Sequence, residues 1–124
     1  MKVLLSIKPE YVERIFAGTK RYEFRRVIFK SRSVKTVVVY ATSPVQKVIG
    51  EFDIDTILSD TPERIWRRTS SFSGISKKAL MAYFGDKTTV YAIKVKEPRR
   101  YPVPLDLQEA FDTFPPQSFV YIQS

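Results

Sequence analysis

Lys20, Glu23 and Arg25 fall within the run Gly18-Thr19-Lys20-Arg21-Tyr22-Glu23-Phe24-Arg25, which brings an ammonium, a carboxylate and a guanidinium together. The two cations can donate to phosphate or carbonyl oxygen, and the carboxylate can accept from a base amino group. Residues two apart on a strand point to the same side, so Glu23 and Arg25 are expected side by side, with Lys20 at the strand entrance. Taken on spacing alone, a surface ion pair on a solvated strand face is the simpler account, and such a pair contributes little. The chain has no histidine and no cysteine. The usual zinc sites, thiolate chemistry, disulfides and the commonest general base are therefore absent. No glycine-rich phosphate loop or serine-nucleophile motif occurs. We expect no cofactor and no metal.

The elements that would position these residues can be read from pattern. Lys2 to Lys8 reads as a strand. Pro9 suits the first turn of a helix in which Val12, Ile15 and Phe16 form the apolar stripe, and Gly18 ends it in a left-handed conformation. A second strand is expected from Arg21 to Phe29, with Tyr22, Phe24 and Ile28 on one face and Glu23 and Arg25 on the other. Lys30 to Ser33 is a basic turn. Val34 to Thr42 is apolar on both faces at its centre, hence interior to a sheet. Val48 to Ile57 alternates. Thr61-Pro62 opens a second helix and Ser76 a third, which Gly85 stops. Thr88 to Lys96 alternates again. Pro98, Pro102 and Pro104 punctuate a basic segment suited to an edge strand, and the aromatic tail from Phe114 to Tyr121 ends in a short strand. Five to seven strands with three short helices, lacking regular βαβ alternation, predict an α+β fold with a largely antiparallel, curved sheet or small barrel.

Composition sets the outer bounds. At 124 residues and 44% hydrophobic content, the chain is expected to form one globular domain over 1–124. The N-terminus begins like a signal peptide, but Lys8, Pro9 and Glu10 end the apolar stretch, and no run approaches a membrane span. The reading is a cytoplasmic protein with no membrane partner; oligomeric state leaves no signal. Lys and Arg outnumber Asp and Glu by 21 to 13, a net charge of +8, which favours contact with a polyanion over mere solubility.

The pattern Gly18-x-Lys20-x-x-Glu23-x-Arg25, following Ser6-Ile7-Lys8-Pro9 and an amphipathic helix, resembles the signature of the ASCH domain family of the PUA-like superfamily. The resemblance extends over most of the chain, through the Tyr91-Ala92-Ile93 strand to Pro116-Gln117-Ser118-Phe119. It implies a PUA-like small, curved, mostly antiparallel β-barrel with flanking short helices, and a cleft beside the motif that binds RNA or other nucleic acid. Carried onto this chain, Lys20, Glu23 and Arg25 line the cleft, Ser6 and Lys8 are neighbours, and Gln117 and Ser118 close the far side; a polar tail cap explains the last two equally well. One branch resembles an acetylcytidine amidohydrolase that uses a lysine, a threonine and a glutamate. Here Lys20 matches, Glu23 stands in place of the threonine, and the loop Ser71-Phe72-Ser73-Gly74 carries no carboxylate, so the resemblance does not transfer that activity.

Two further features lie outside the motif. Glu51, Asp53 and Asp55 alternate on one strand face; a magnesium nuclease uses such carboxylates, but a solvated face explains them more simply. Phe72 lies on a polar loop just after Arg67 and Arg68 and is a candidate exposed ring for stacking a base. The leading expectation is an RNA or modified-nucleotide binding module, its partner single-stranded nucleic acid. The alternative is a small metal-independent hydrolase or ribonuclease acting through Lys20 and Glu23, for which burial must lower the lysine pKa while Glu23 works in the opposite sense. A protein-interaction domain with incidental charge is the third.

Overall fold

Apolar residues that alternate along the central strands decide the layering. The computed structural model describes residues 1–123. Its elements run β1 (Lys2–Ile7), α1 (Pro9–Ala17), β2 (Tyr22–Arg25), β3 (Thr36–Ala41), β4 (Lys47–Asp60), α2 (Pro62–Thr69), a 3-10 turn (Ser70–Phe72), α3 (Lys77–Phe84), β5 (Val90–Leu105), α4 (Leu107–Phe111) and β6 (Phe119–Ile122). One six-stranded sheet has the order β2-β5-β4-β3-β1-β6. β1 and β3 pair in parallel, and every other neighbouring pair is antiparallel.

On β3, Val37 and Val39 point into a core shared with Val3, Leu5, Ile7 and the α1 residues Val12 and Ile15. Val38 and Tyr40 point to the opposite face, where Leu4, Val48, Ile122 and Leu107 of α4 cover them. The doubly apolar run is thus interior, as its sequence predicts. A third core forms where α2 and α3 pack Ile65, Leu80 and Phe84 onto Phe24, Val90 and Ala92. Thr61 and Ser76 cap α2 and α3 by accepting from the backbone N–H groups of Arg64 and Ala79.

Four features depart from expectation. The second strand ends at Arg25 rather than Phe29. The segment carrying Pro98, Pro102 and Pro104 is not separate but continues β5. It lies past Lys94, the last residue paired with β2, so one side of this stretch is a free edge while Arg99, Arg100 and Leu105 pair with β4 on the other. A short helix, α4, capped by Asp106, went unforeseen because five residues carry too little periodicity. Among the described residues no ladder joins the edge strands β2 and β6, so the barrel expected from the resemblance is not closed by strand pairing. The short β2 gives the physical reason. Its last residue, Arg25, reaches across the gap with its side chain, donating to the backbone carbonyls of Ser6 on β1 and Ser118 ahead of β6. The sheet curls until its edges meet around a guanidinium. No helix among the described residues is long and apolar enough to cross a membrane.

Gly50 marks where α1 settles on the sheet. A Cβ there would collide with the Arg99 carbonyl oxygen and lie 2.9 Å from both the Arg100 Cα and the Phe16 ring. Two of the three obstacles are rigid, so Gly50→Ala should lower stability by ~1–3 kcal/mol, the usual scale of overpacking. Urea unfolding followed by tryptophan fluorescence checks this; an unchanged midpoint would contradict the close approach.

Candidate functional site

The C-terminus of α1 places the first site residue. Gly18 takes a positive φ of 86°, and the backbone N–H of Lys20 turns back to donate to Arg14 O at 3.1 Å. This directs the Lys20 side chain inward beneath the loop that precedes α3. Three consecutive carbonyls of that loop are then held by three donors. Arg21 N–H reaches Phe72 O at 2.9 Å. Lys20 Nζ donates to Ser73 O at 2.7 Å, and Arg14 Nη1 donates to Gly74 O at 2.8 Å. Gly74 has a φ of 65°, and a Cβ on it would run into Lys20, 2.6 Å from Cγ. A residue without a side chain is required for the loop to close over the lysine.

Lys20 is only 2% exposed. Its ammonium lies 4.6 Å from the centre of the Phe24 ring and 5.1 Å from that of Tyr11. Burial pushes its pKa down from 10.5 to about 8; the Glu23 carboxylate opposes that shift, and the Arg14 cation adds to it. The Glu23 carboxylate acts in the expected direction but has the weaker effect, because loss of hydration outweighs one nearby carboxylate not in direct contact. Glu23 and Arg25, neighbours on one face of β2 as the spacing predicts, form an ion pair at 3.2 Å. Arg25 Nη2 also donates to Ser118 O at 2.7 Å, and Ser6 Oγ donates to Pro116 O at 2.8 Å.

These groups form the floor of a cavity of about 590 Å³. Lys20, Glu23, Arg25, Ser6, Lys8 and Gln117 all line it. Its walls are Tyr11, Ile75, Ala79, Leu80, Ala82 and Tyr83. Two expected site residues are placed otherwise. Ser118 does not line the cavity and serves through its backbone carbonyl on Arg25. Phe72 is exposed, as expected, but stands outside the cavity with the Arg21 guanidinium 4.0 Å over its ring. Sequence reasoning missed the walls. Ala79 and Ala82, small residues three apart on α3, were an available signal for a helix face kept low beside an opening.

The carboxylates of β4 are engaged by cations. Glu51 accepts from Arg99, Lys2 and Tyr101, and Asp53 accepts from Arg99 and Thr36. Their pKa values are held below the ordinary range, with the Arg99 hydrogen bond the leading favourable contact in each case. Asp55 has Lys94 at 3.9 Å. The face is thus cross-linked by cations, Arg99 bridging Glu51 and Asp53 while Lys2 and Lys94 lie against Glu51 and Asp55.

The folded protein holds the Lys20 proton less tightly than the unfolded chain does. Below pH 8 both states are protonated and the full cost of burying the charge is present; above the unfolded value of 10.5 both are neutral and the cost is gone. Stability at this position should therefore rise between these limits by about 3 kcal/mol. Lys20→Met has nothing to titrate, so urea unfolding of both proteins across this pH range should show the parent gaining on the variant by that amount. A constant difference would be incompatible with a buried amine.

Comparison with known proteins adds an independent line. The ASCH domain family matches residues 5–99. The large ribosomal subunit protein uL22 of Ureaplasma parvum serovar 3 is 32% identical over 121 residues, covering 98% of this chain but 39% of that protein. The chain thus spans well under half the length of that relative. An ASCH domain-containing ribonuclease of Zymomonas mobilis is 31% identical over 126 residues, covering 98% of this chain and 84% of the relative. The crystal structure of ASCH from Zymomonas mobilis superposes with a TM-score of 0.88 at 28% identity, over 98% of this chain and 87% of that one. Its α+β architecture is the one described above. With the motif in place, the matched span and the shared fold agree, and the chain belongs to the ASCH domain family.

Proposed function

We propose that this protein binds single-stranded RNA by drawing one nucleotide, plain or base-modified, into the cavity above Lys20, Glu23 and Arg25. The observation that carries this reading is the recessed charge. Three ionic side chains, each less than a tenth exposed, line a cavity with apolar walls. Keeping the Lys20 charge there works against folding by about 3 kcal/mol below pH 8, and strain of that kind is retained where a site needs it. The volume suits a small ligand. In this reading Tyr11 and Tyr83 flank the base, Lys20 and Arg25 face phosphate or base carbonyl, and Glu23 accepts from a base amino group while orienting Arg25. Exposed basic residues such as Lys8, Arg67 and Lys78 add salt-sensitive affinity. The name of the Zymomonas relative, a ribonuclease, supports RNA as the polyanion.

Binding of a labelled short single-stranded RNA, followed by anisotropy, tests this. Affinity should fall steeply as salt rises, and Lys20→Met should weaken it ~10-fold or more at pH 7, the scale of one charge-assisted contact. Affinity should also decline as pH passes 8, where the ammonium loses its proton. Equal affinity of parent and variant would remove the cavity from the interaction.

A second reading, turnover, is favoured by one specific observation: an amine with a pKa of about 8 facing the cavity. At pH 7 roughly a tenth of it is neutral. Neutral Lys20 would take the proton of a ribose 2′-hydroxyl as that oxygen bonds to the adjacent phosphorus; the 5′-oxygen would leave with a proton returned from Lys20, giving a 2′,3′-cyclic phosphate. Arg25 would face the charge developing on the phosphoryl group. Cleavage in chelator-containing buffer should then increase as pH rises to about 8, opposite to the trend for binding, and should be lost in Lys20→Met. RNA that stays intact under these conditions would leave binding alone.

A further inference from the structure

The cations outside the cavity differ in what holds them. Arg64 and Arg68 pair with Asp60, Lys77 with Glu63, Arg99 with Glu51 and Asp53, and Arg100 with Glu13. Arg21 belongs with the cations, Arg67 and Lys78 among them, that form no ion pair among the described residues, and a ring sets it apart from those two. Among the described residues no carboxylate forms an ion pair with it; its guanidinium lies instead on the Phe72 ring, 4.0 Å from the centroid. Its backbone is fixed on both sides, the N–H donating to Phe72 O and the carbonyl accepting from Val95 N, each at 2.9 Å. Phe72 itself remains 42% exposed. A guanidinium stacked on a ring keeps its in-plane N–H donors directed outward and presents flat surface that another π-system can extend.

Position gives this pair its meaning. Arg21 follows Lys20 in the chain, and Phe72 precedes Ser73, whose carbonyl holds Lys20. Arg21 is thus one residue, ~3.8 Å along the backbone, from the cavity-lining Lys20, and Phe72 is one residue from the carbonyl that Lys20 holds. We propose that Arg21 and Phe72 form a second nucleotide subsite, stacking the base of the nucleotide adjacent to the one in the cavity while the Arg21 N–H groups meet the intervening phosphate. This rests on the RNA-binding reading above and extends it. Stacking is tolerant of base identity, so the subsite would add affinity with little sequence preference.

The test compares three probes: a ribonucleoside monophosphate, a diribonucleotide, and the same dinucleotide lacking its second base. The dinucleotide should bind more tightly than its abasic counterpart by ~5- to 100-fold, the range of one stacked base. Phe72→Leu and Arg21→Gln should each erase most of that gain, and Phe72→Tyr, which keeps the ring, should retain it. Phe72→Leu should leave monophosphate binding unchanged; circular dichroism confirms that the variants are folded. Equal binding of the two dinucleotides by the parent, or a gain that survives Phe72→Leu, would overturn the subsite. The cavity reading fails separately, if monophosphate binding ignores Lys20→Met. A protein that binds none of the probes overturns both.

Discussion

A single buried ammonium ties the α1–β2 junction to the loop ahead of α3. Lys20 donates to Ser73, with Arg14 and Arg21 holding the carbonyls on either side. Three donors from one segment thus capture three successive acceptors of another. The loop has no other regular pairing, so these contacts set its height above the sheet. They decide where α3 begins, and therefore where Ala79, Leu80 and Tyr83 stand as walls. Removing the lysine would change more than a charge; it would leave a carbonyl unsatisfied and the wall without an anchor.

Arg25 organises the opposite side. Its guanidinium has Glu23 for charge compensation and two backbone carbonyls for its remaining donors. A planar fork with fixed N–H directions reaches partners on three separate segments at once. The motif is therefore divided in labour. Lys20 is a lightly partnered amine with hydrogen-bonding capacity left over, whereas Arg25 is largely committed to the fold.

Much of this was legible in the sequence because it rests on local rules. The i, i+2 relation of Glu23 and Arg25, the left-handed turn at Gly18, the caps at Thr61 and Ser76, and the doubly apolar β3 all follow from residue type and period. What escaped depends on contacts between distant segments. The balance of forces on the Lys20 amine turns on depth of burial, which no spacing encodes. The capture of Arg99 by Glu51 and Asp53 requires the β4–β5 register. The premature end of β2 reflects a tertiary choice, in which Arg25 turns to a side-chain closure where a longer strand was expected. The exposure of Phe72 follows from its polar loop, but the Arg21 guanidinium over its ring comes from a segment 51 positions away and leaves no trace in spacing.

The seam closed by Arg25 has a consequence for how the protein comes into being. The groups it joins lie far apart along the chain: Arg25 and Ser118 are separated by 93 positions, and the nearby Ser6–Pro116 contact spans 110. A ribosome will have released β1, α1 and β2 long before β6 emerges. Until then the motif residues have no finished enclosure, and the nascent polypeptide carries its cationic groups without the recess that would give them selectivity. The enclosure is thus completed only when the segment around Pro116 and Ser118 docks and turns a charged furrow into a chamber.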